Sequence, residues 1–355
     1  MAVKLLVVTQ KIDSQDSVLG FFHGWLRAFS AQFEKVTAVC LERGESSLPM
    51  SVKIFSLGKE RGTPYSAFTA FPRRLRYIFN FYKIVWHARR EYDSVLVHMN
   101  PEYVILGAFL WKILGKKVVL WYNHTFGGWR ALLAFLLADK ICHTSPFSFS
   151  ANRRKSIRMP AGIDTNLFRH LSVEFSAGRK KPDVLYVGRI SPLKDVRLLI
   201  QAMSFLRRRG RKYTLDIYGD APTRDAGYLE KVKNAAGVQV GFITISSGQP
   251  HSSLPAIFSS ARLFVNLTPS GNYDKTVLEA AACETVPLVS SKAFDDLLPR
   301  ECFFKEGDAD DLADRIEWFI NLPEEERRKI GVSLRERVVD RHSLDKLVRE
   351  LKNVL

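Results

Sequence analysis

The chain has 355 residues, 46% of them hydrophobic, with 53 Lys and Arg against 37 Asp and Glu for a formal net charge of +16. That length and apolar content suit about two domains with sizeable cores. Its longest apolar runs, such as Tyr103 to Trp111, fall short of the about 18 residues a membrane span needs, which argues against a transmembrane protein.

The four cysteines, Cys40, Cys142, Cys283 and Cys302, show no metal-ligand or redox spacing. The opening stretch MAVKLLVVTQ turns polar too soon for a secretory signal and reads as a first buried strand. Both features fit a reducing cytoplasm. Charge is uneven: residues 1–160 hold 23 basic and 10 acidic residues, a net of +13, and the remaining 195 hold 30 and 27, a net of +3. A basic excess confined to one half fits an anionic surface or partner, and equally a merely soluble basic face.

In chain order, a strand from Lys4 to Thr9 leads through a polar loop into a helix from about Gly20 to Phe33. A second strand spans Val36 to Leu41. Strand, glycine-bearing loop, helix and strand open a Rossmann-like unit, without the GxGxxG of a dinucleotide fingerprint. From Pro72 onward, Leu75, Ile78, Phe79, Tyr82 and Trp86 recur at helical spacing among Arg73, Arg74, Arg76, Lys83, Arg89 and Arg90. This stretch, Pro64 to Arg90, suits an amphipathic helix on an anionic membrane surface, and also a core helix with a solvated basic face. No recognised RNA or DNA motif accompanies it, so nucleic acid is not an expected partner.

Three more strands, Ser94 to Met99, Lys117 to Tyr122 and Lys140 to His143, alternate with helices. They end in His98-Met-Asn100, Asn123-His124-Thr125 and His143-Thr144-Ser145. Polar strand ends mark the rim of a parallel sheet where ligands bind, although a single histidine there is often a structural hydrogen-bonder. Arg153 to Met159 has the character of an edge element, and His170 to Pro182 reads as a linker.

A second unit opens with the buried strand Asp183 to Arg189, ending in Gly188-Arg189. Ser191-Pro-Leu-Lys194 and a helix from Val196 to Arg208 follow. Strands are expected at Tyr213 to Gly219 and Val238 to Phe242, with a helix at Leu254 to Ser260. Leu263-Phe264-Val265 then leads through the turn-rich Thr268 to Asn272 into a short helix from about Lys275 to Cys283. Pro287 to Ser290 is the next strand. Asp274, Lys275 and Glu279 thus fall at the entrance and first turn of a ligand-facing helix. Lys275 and Glu279 share one face, which also fits a surface ion pair beside an N-cap. Gly307-Asp-Ala-Asp-Asp311 opens a helix, so its acids read as capping. A final amphipathic helix spans Leu344 to Val354.

The Gly188-Arg189 to Lys194 segment, Pro160-Ala-Gly-Ile-Asp164 and Glu279-Ala-Ala-Ala-Cys283 together resemble retaining glycosyltransferase family 4. That resemblance implies two Rossmann-like α/β domains facing a central cleft, the GT-B fold. The expected limits are 1–172 for an acceptor-side domain and 173–340 for a nucleotide-sugar domain, with 341–355 returning to the first. It also implies transfer of a sugar from a nucleotide-diphosphate-sugar donor to a lipid-linked or glycan acceptor, with retention and without a bound metal or other cofactor.

Departing diphosphate gathers negative charge, which pre-placed cations at a strand–helix junction stabilise. By the resemblance Arg189 and Lys194 hold that diphosphate and Glu279 the ribose hydroxyls. Asp274 or Lys275 serves the sugar or phosphate side, and His124 faces the donor sugar. Gly20 and Gly188 allow close backbone approach, although Gly20 also fits an ordinary helix-start glycine. Two departures stand out: Gly271 occupies the position of the family's first motif glutamate, and Glu284 that of a helix-ending glycine. They favour, as rivals, a non-catalytic nucleotide- or glycan-binding protein, while charge alone favours a membrane or nucleic-acid adaptor. A cell-envelope glycan enzyme, cytoplasmic and peripheral on the inner face of the membrane, is the expected setting.

Overall fold

The run Leu5–Val8 shows why the first sheet forms. Leu5 and Val7 join one buried cluster and Leu6 and Val8 another, so the strand is covered on both faces. Parallel sheets need such cover, since the crossover helices lie on their faces. The computed structural model describes residues 3–61, 67–173, 181–237 and 241–355, without the side chains of 67–71.

The chain divides into two compact units, residues 1–162 with 344–355, and residues 163–343. In the first, β1 (Lys4–Ile12), α1 (Phe21–Gln32), β2 (Lys35–Arg43) and β3 (Val52–Ser56) precede α2 (Ala67–His87) and β4 (Ser94–His98). Then come α3 (Pro101–Ile113), β5 (Lys117–Trp121), α4 (Trp129–Leu137), β6 (Lys140–His143) and β7 (Ser156–Arg158). The sheet order is β3-β2-β1-β4-β5-β6-β7, with every pairing parallel. β1 continues to β2 on one side and β4 to β5 on the other, so the topological switch lies between β1 and β4.

The second unit runs β8 (Val184–Val187), α5 (Val196–Arg208), β9 (Leu215–Tyr218), α6 (Ala226–Gly237), β10 (Ile243–Ser246) and α7 (Leu254–Ser259). β11 (Leu263–Asn266), α8 (Lys275–Ala282), β12 (Val286–Val289), α9 (Ala309–Asn321) and α10 (Glu324–His342) complete it. Its parallel order is β10-β9-β8-β11-β12, with the switch between β8 and β11. Finally α11 (Leu344–Val354) packs with α1, burying Leu344, Leu347, Val348 and Leu351 in the first unit's core.

Several expectations need correction. The division falls at Gly162 and Ser343 rather than at 172 and 340. Residues 238–240 of the strand expected over Val238 to Phe242 lie outside the described ones; Gly241 sits in a turn with φ +84°, and a strand follows at Ile243–Ser246. Residues 174–180 of the expected linker and the start of the Pro64 to Arg90 stretch also lie outside the described residues. The helix there begins at Ala67, with Pro72 inside it. The 19-residue α10 carries no broad apolar face, and only Gly331, Leu334, Val338 and His342 are buried along it. Those positions are spaced three or four apart, a stripe too narrow to stand out among its charges.

Candidate active site

The switch point of the second sheet gathers the polar residues that its two central strands deliver. β8 ends in Gly188-Arg189, and the short turn Pro192–Lys194 carries Lys194 to the start of α5. β11 ends in Asn266, and the loop to α8 holds Thr268 and Asp274. The Lys194 ammonium donates to Thr268 Oγ1 at 2.6 Å and forms a salt bridge with Asp274 Oδ2. The same oxygen accepts from Asn266 Nδ2 at 3.1 Å and Thr268 Oγ1 at 3.0 Å. Burial alone would raise the Asp274 carboxyl. Lys194 and the two further donors override it and hold the group well below the usual carboxylate range.

Asp274 also caps α8, accepting from the Thr276 N–H, so one carboxylate serves both the helix end and the lysine. An ammonium has three N–H donors. Two of those on Lys194 are spent on Thr268 and Asp274, which leaves one for a ligand.

The loop bearing these groups is pinned from several sides. Thr268 N–H donates to Asn266 Oδ1 at 3.1 Å, Ser270 N–H to Glu306 Oε2 at 2.9 Å, and Ser291 Oγ to the Asn272 carbonyl at 2.8 Å. Tyr273 stacks on Phe294 with centroids 4.5 Å apart, and its hydroxyl lies 3.0 Å from His342 Nε2. Gly271 sits at φ +95°, where a glutamate would be strained. Beside this loop, β8 and β9 end so close together that a Cβ on Gly219 would lie 1.9 Å from the Gly188 carbonyl oxygen.

Arg189 is exposed, and its carbonyl accepts from the buried Tyr186 hydroxyl at 2.9 Å. Lys275, in the first turn of α8, is desolvated. Burial pushes its pKa down to about 7 against the opposing charge of Glu279. Glu279 is only 4% exposed, so it is no surface ion-pair residue. Its Oε1 lies 2.9 Å from His251 Nε2, and the His251 ring packs on Phe168 with centroids 4.9 Å apart. His251 escaped the sequence reading, because nothing in its spacing ties it to an acid 28 residues later.

The remaining expected residues belong to the first unit. Gly20 is buried and caps α1 at φ −56° and ψ −30°, a right-handed conformation open to any residue. His124 is exposed after β5, and its ring meets Tyr122 edge-on at 5.2 Å; partial screening from water lowers its pKa. The first unit's switch point holds other groups. Thr9 Oγ1 lies 3.3 Å from His98 Nδ1, and Asn100 Nδ2 donates to Gln10 Oε1 at 3.2 Å. Met99 between them has φ +66°, a strained backbone of the kind that collects at functional sites. Asn123 and His143 have structural duties: Asn123 Oδ1 accepts the Thr144 and Ser145 N–H groups, and His143 Nδ1 lies 2.9 Å from the Ser145 carbonyl. Among the described residues, no cluster of three or more His, Cys, Asp or Glu is placed to hold a metal ion.

Two units of parallel strands crossed by helices define the GT-B fold of glycosyltransferases. Residues 181–321, which contain the Lys194–Asp274 site, match the family described as glycosyl transferases group 1. Over 112 residues the chain is 38% identical to the alpha-D-kanosaminyltransferase of Streptomyces kanamyceticus, which covers 31% of this chain and 28% of that protein. Over 108 residues it is 32% identical to O-antigen chain mannosyltransferase B of Escherichia coli, covering 30% and 28%. The matched part thus spans less than a third of either relative. Among solved structures, Anabaena Alr3699/HepE in complex with UDP and glucose is similar in fold at a TM-score of 0.75, with 15% identity and 99% of both chains covered.

Proposed function

We propose that this chain is a glycosyltransferase that moves a sugar from a nucleotide-diphosphate-sugar donor to a lipid-linked or glycan acceptor with retained configuration. The observation that carries this reading is the Lys194–Thr268–Asp274 cluster at the switch point of the second sheet, inside the segment that matches a glycosyltransferase family. A cation held at a strand–helix junction, beside the N-terminus of α8, suits a diphosphate. Arg189, exposed at the end of β8, adds a planar fork for phosphate oxygens. Lys275 supplies a second, switchable charge, because an anion beside it favours its protonated form. Glu279 receives the ribose hydroxyls, with His251 holding its carboxylate in place.

In the transfer, the bond from the anomeric carbon to the β-phosphate oxygen breaks. The acceptor oxygen forms its bond on the same face, and its proton passes to the departing phosphate. The products are the glycosylated acceptor and a nucleoside diphosphate. No carboxylate is assigned as a nucleophile, and the residues named act by binding, orientation and charge stabilisation.

A second reading, a nucleotide-binding protein without transfer, draws on one observation: Asp274 already neutralises Lys194. A donor panel separates the two. UDP-sugars come first, since the similar Anabaena protein was crystallised with UDP and glucose. Release of nucleoside diphosphate, abolished in the Arg189→Ala and Lys194→Met variants, supports the enzyme. Binding by thermal shift without any turnover across the panel, with or without glycan acceptors, leaves the binding protein.

A further inference from the structure

α2, α3 and α4 lie side by side on one face of the first sheet. Phe81, Trp111 and Ala134 share a single buried cluster with Leu6, Val97 and Leu120. The Tyr82 hydroxyl donates to the Leu106 carbonyl at 2.7 Å, joining α2 to α3, and α3 packs along α4. Helices on such a layer ordinarily turn a polar face to water. Here the outer face is apolar a second time. On α2, Leu75, Phe79, Tyr82 and Trp86 recur at helical spacing and are all exposed. α3 adds Phe109 and Ile113, and α4 adds Trp129, Leu132 and Leu136. Phe79, Phe109, Ile113, Trp129 and Leu136 each keep two-thirds or more of their surface in water. Large side chains left open on three neighbouring helices mark an interaction surface rather than scattered exceptions.

Charge identifies the partner. The three helices contain one acid, Glu102, against Arg73, Arg74, Arg76, Lys83, Lys112 and Arg130. The Arg89 guanidinium lies 4.5 Å from the Trp86 ring centroid, and that of Arg130 lies 5.4 Å from Trp129. Aromatic bodies with cations at their edges match the boundary between lipid tails and phosphate headgroups. A second copy of the chain would set this basic face against itself. Among the described residues no helix is long and apolar enough to cross a membrane, so the contact lies in the interface plane.

We infer that the outer face of the α2–α3–α4 layer docks reversibly on an anionic lipid bilayer, its aromatic and aliphatic side chains entering the headgroup region while Arg and Lys meet lipid phosphates. This docking extends the proposed function by bringing the enzyme to a lipid-borne acceptor, but it needs no donor and is measured without turnover.

The test is co-sedimentation of the full chain with phosphatidylcholine vesicles, with and without phosphatidylglycerol. The protein should pellet with the anionic vesicles only, and less so as salt shortens the screening length below about 8 Å. Replacing Arg74, Arg76 and Lys83 with Gln should lower the partition coefficient on the order of 100-fold, since each cation near the surface contributes about fivefold. Phe79→Ser, Phe109→Ser and Leu136→Ser together should abolish pelleting even at low salt, with circular dichroism confirming the fold. Should that triple variant misfold, Phe109→Ser alone, at the most exposed of these side chains, should still lower the partition coefficient. Absence of pelleting with anionic vesicles overturns the inference. So does pelleting that the apolar variants leave unchanged, which is mere adsorption of a basic protein. A dimer in light scattering that the apolar variants dissociate assigns the face to a second copy and overturns it as well.

Discussion

Lys194 and Arg189 make different predictions although both are assigned to phosphate. Arg189 is exposed, so Arg189→Ala should leave thermal stability near wild type while lowering kcat/KM at least about 30-fold, equivalent to about 2 kcal/mol of lost transition-state stabilisation. Near-normal turnover would remove it from the site. Lys194→Met strands a largely buried carboxylate, and denaturant unfolding at neutral pH should show a loss of about 3 kcal/mol. A carboxyl held low in the fold stabilises it above the unfolded pKa, 3.8, and that contribution disappears on acidification through the lower folded value. The gap between wild type and variant should therefore close as the pH falls below about 4. His251 acts through Glu279 as a positioning residue, so His251→Ala should raise the donor KM while leaving kcat nearly unchanged; equal losses in both would point to general disruption. Asp274 and Glu279 were legible as candidates from their place at the start of a helix, and Lys194 from its likeness to the family's motif. Their partners were not, because Thr268, Asn266 and His251 acquire meaning only once the strands are ordered.

The element that concentrates these effects is α8. Its C-terminus closes with paired bonds, Thr285 N–H to the Ala280 carbonyl and Glu284 N–H to the Ala281 carbonyl, both 3.0 Å. This closure puts Glu284 at φ +62°, a left-handed position that favours glycine. Glu284→Gly should stabilise the protein by about 0.5–1 kcal/mol, measured by urea unfolding. The sequence departure at 284 thus has a local conformational meaning and leaves the helix end intact. At the other end, Lys275 carries its charge against both burial and the positive end of the helix dipole. Between its folded pKa of about 7 and its ordinary 10.5, the unfolded chain binds the extra proton, so stability rises with pH across that window. Lys275→Met should gain most over wild type below about pH 7, and the gain should vanish by 10.5. A nucleoside diphosphate bound beside Lys275 should raise its pKa, and calorimetry in buffers of different ionisation enthalpy should record proton uptake above pH 7. Periodicity revealed α8 readily. It missed α10, whose charges obscure a narrow buried stripe.

At the scale of the molecule, the return of α11 to the first unit has a measurable consequence. Leu347 and Leu351 are fully buried in that unit's core, so each Leu→Ala change should cost about 2–5 kcal/mol. Hydrogen exchange should place the loss on residues 1–162 and 344–355, with amides of β8, β11 and β12 keeping their protection. Faster exchange throughout the second unit would contradict the division into two compact units. By itself the sequence determined that this protein is built of parallel α/β sheets. Strands buried on both faces must read as apolar runs, and the amphipathic helices between them supply the crossovers. Composition likewise showed that the basic excess lies in the first 160 residues. Only the tertiary structure decided that the units divide at Gly162 and Ser343, that the basic stretch of α2 shares an apolar outer face with α3 and α4, and that Lys194 meets Asp274 across 80 residues of chain. The physical reason is common to all three. Local periodicity fixes which side of a helix or strand is apolar, whereas strand order and helix placement are set by long-range packing that no short window of residues contains.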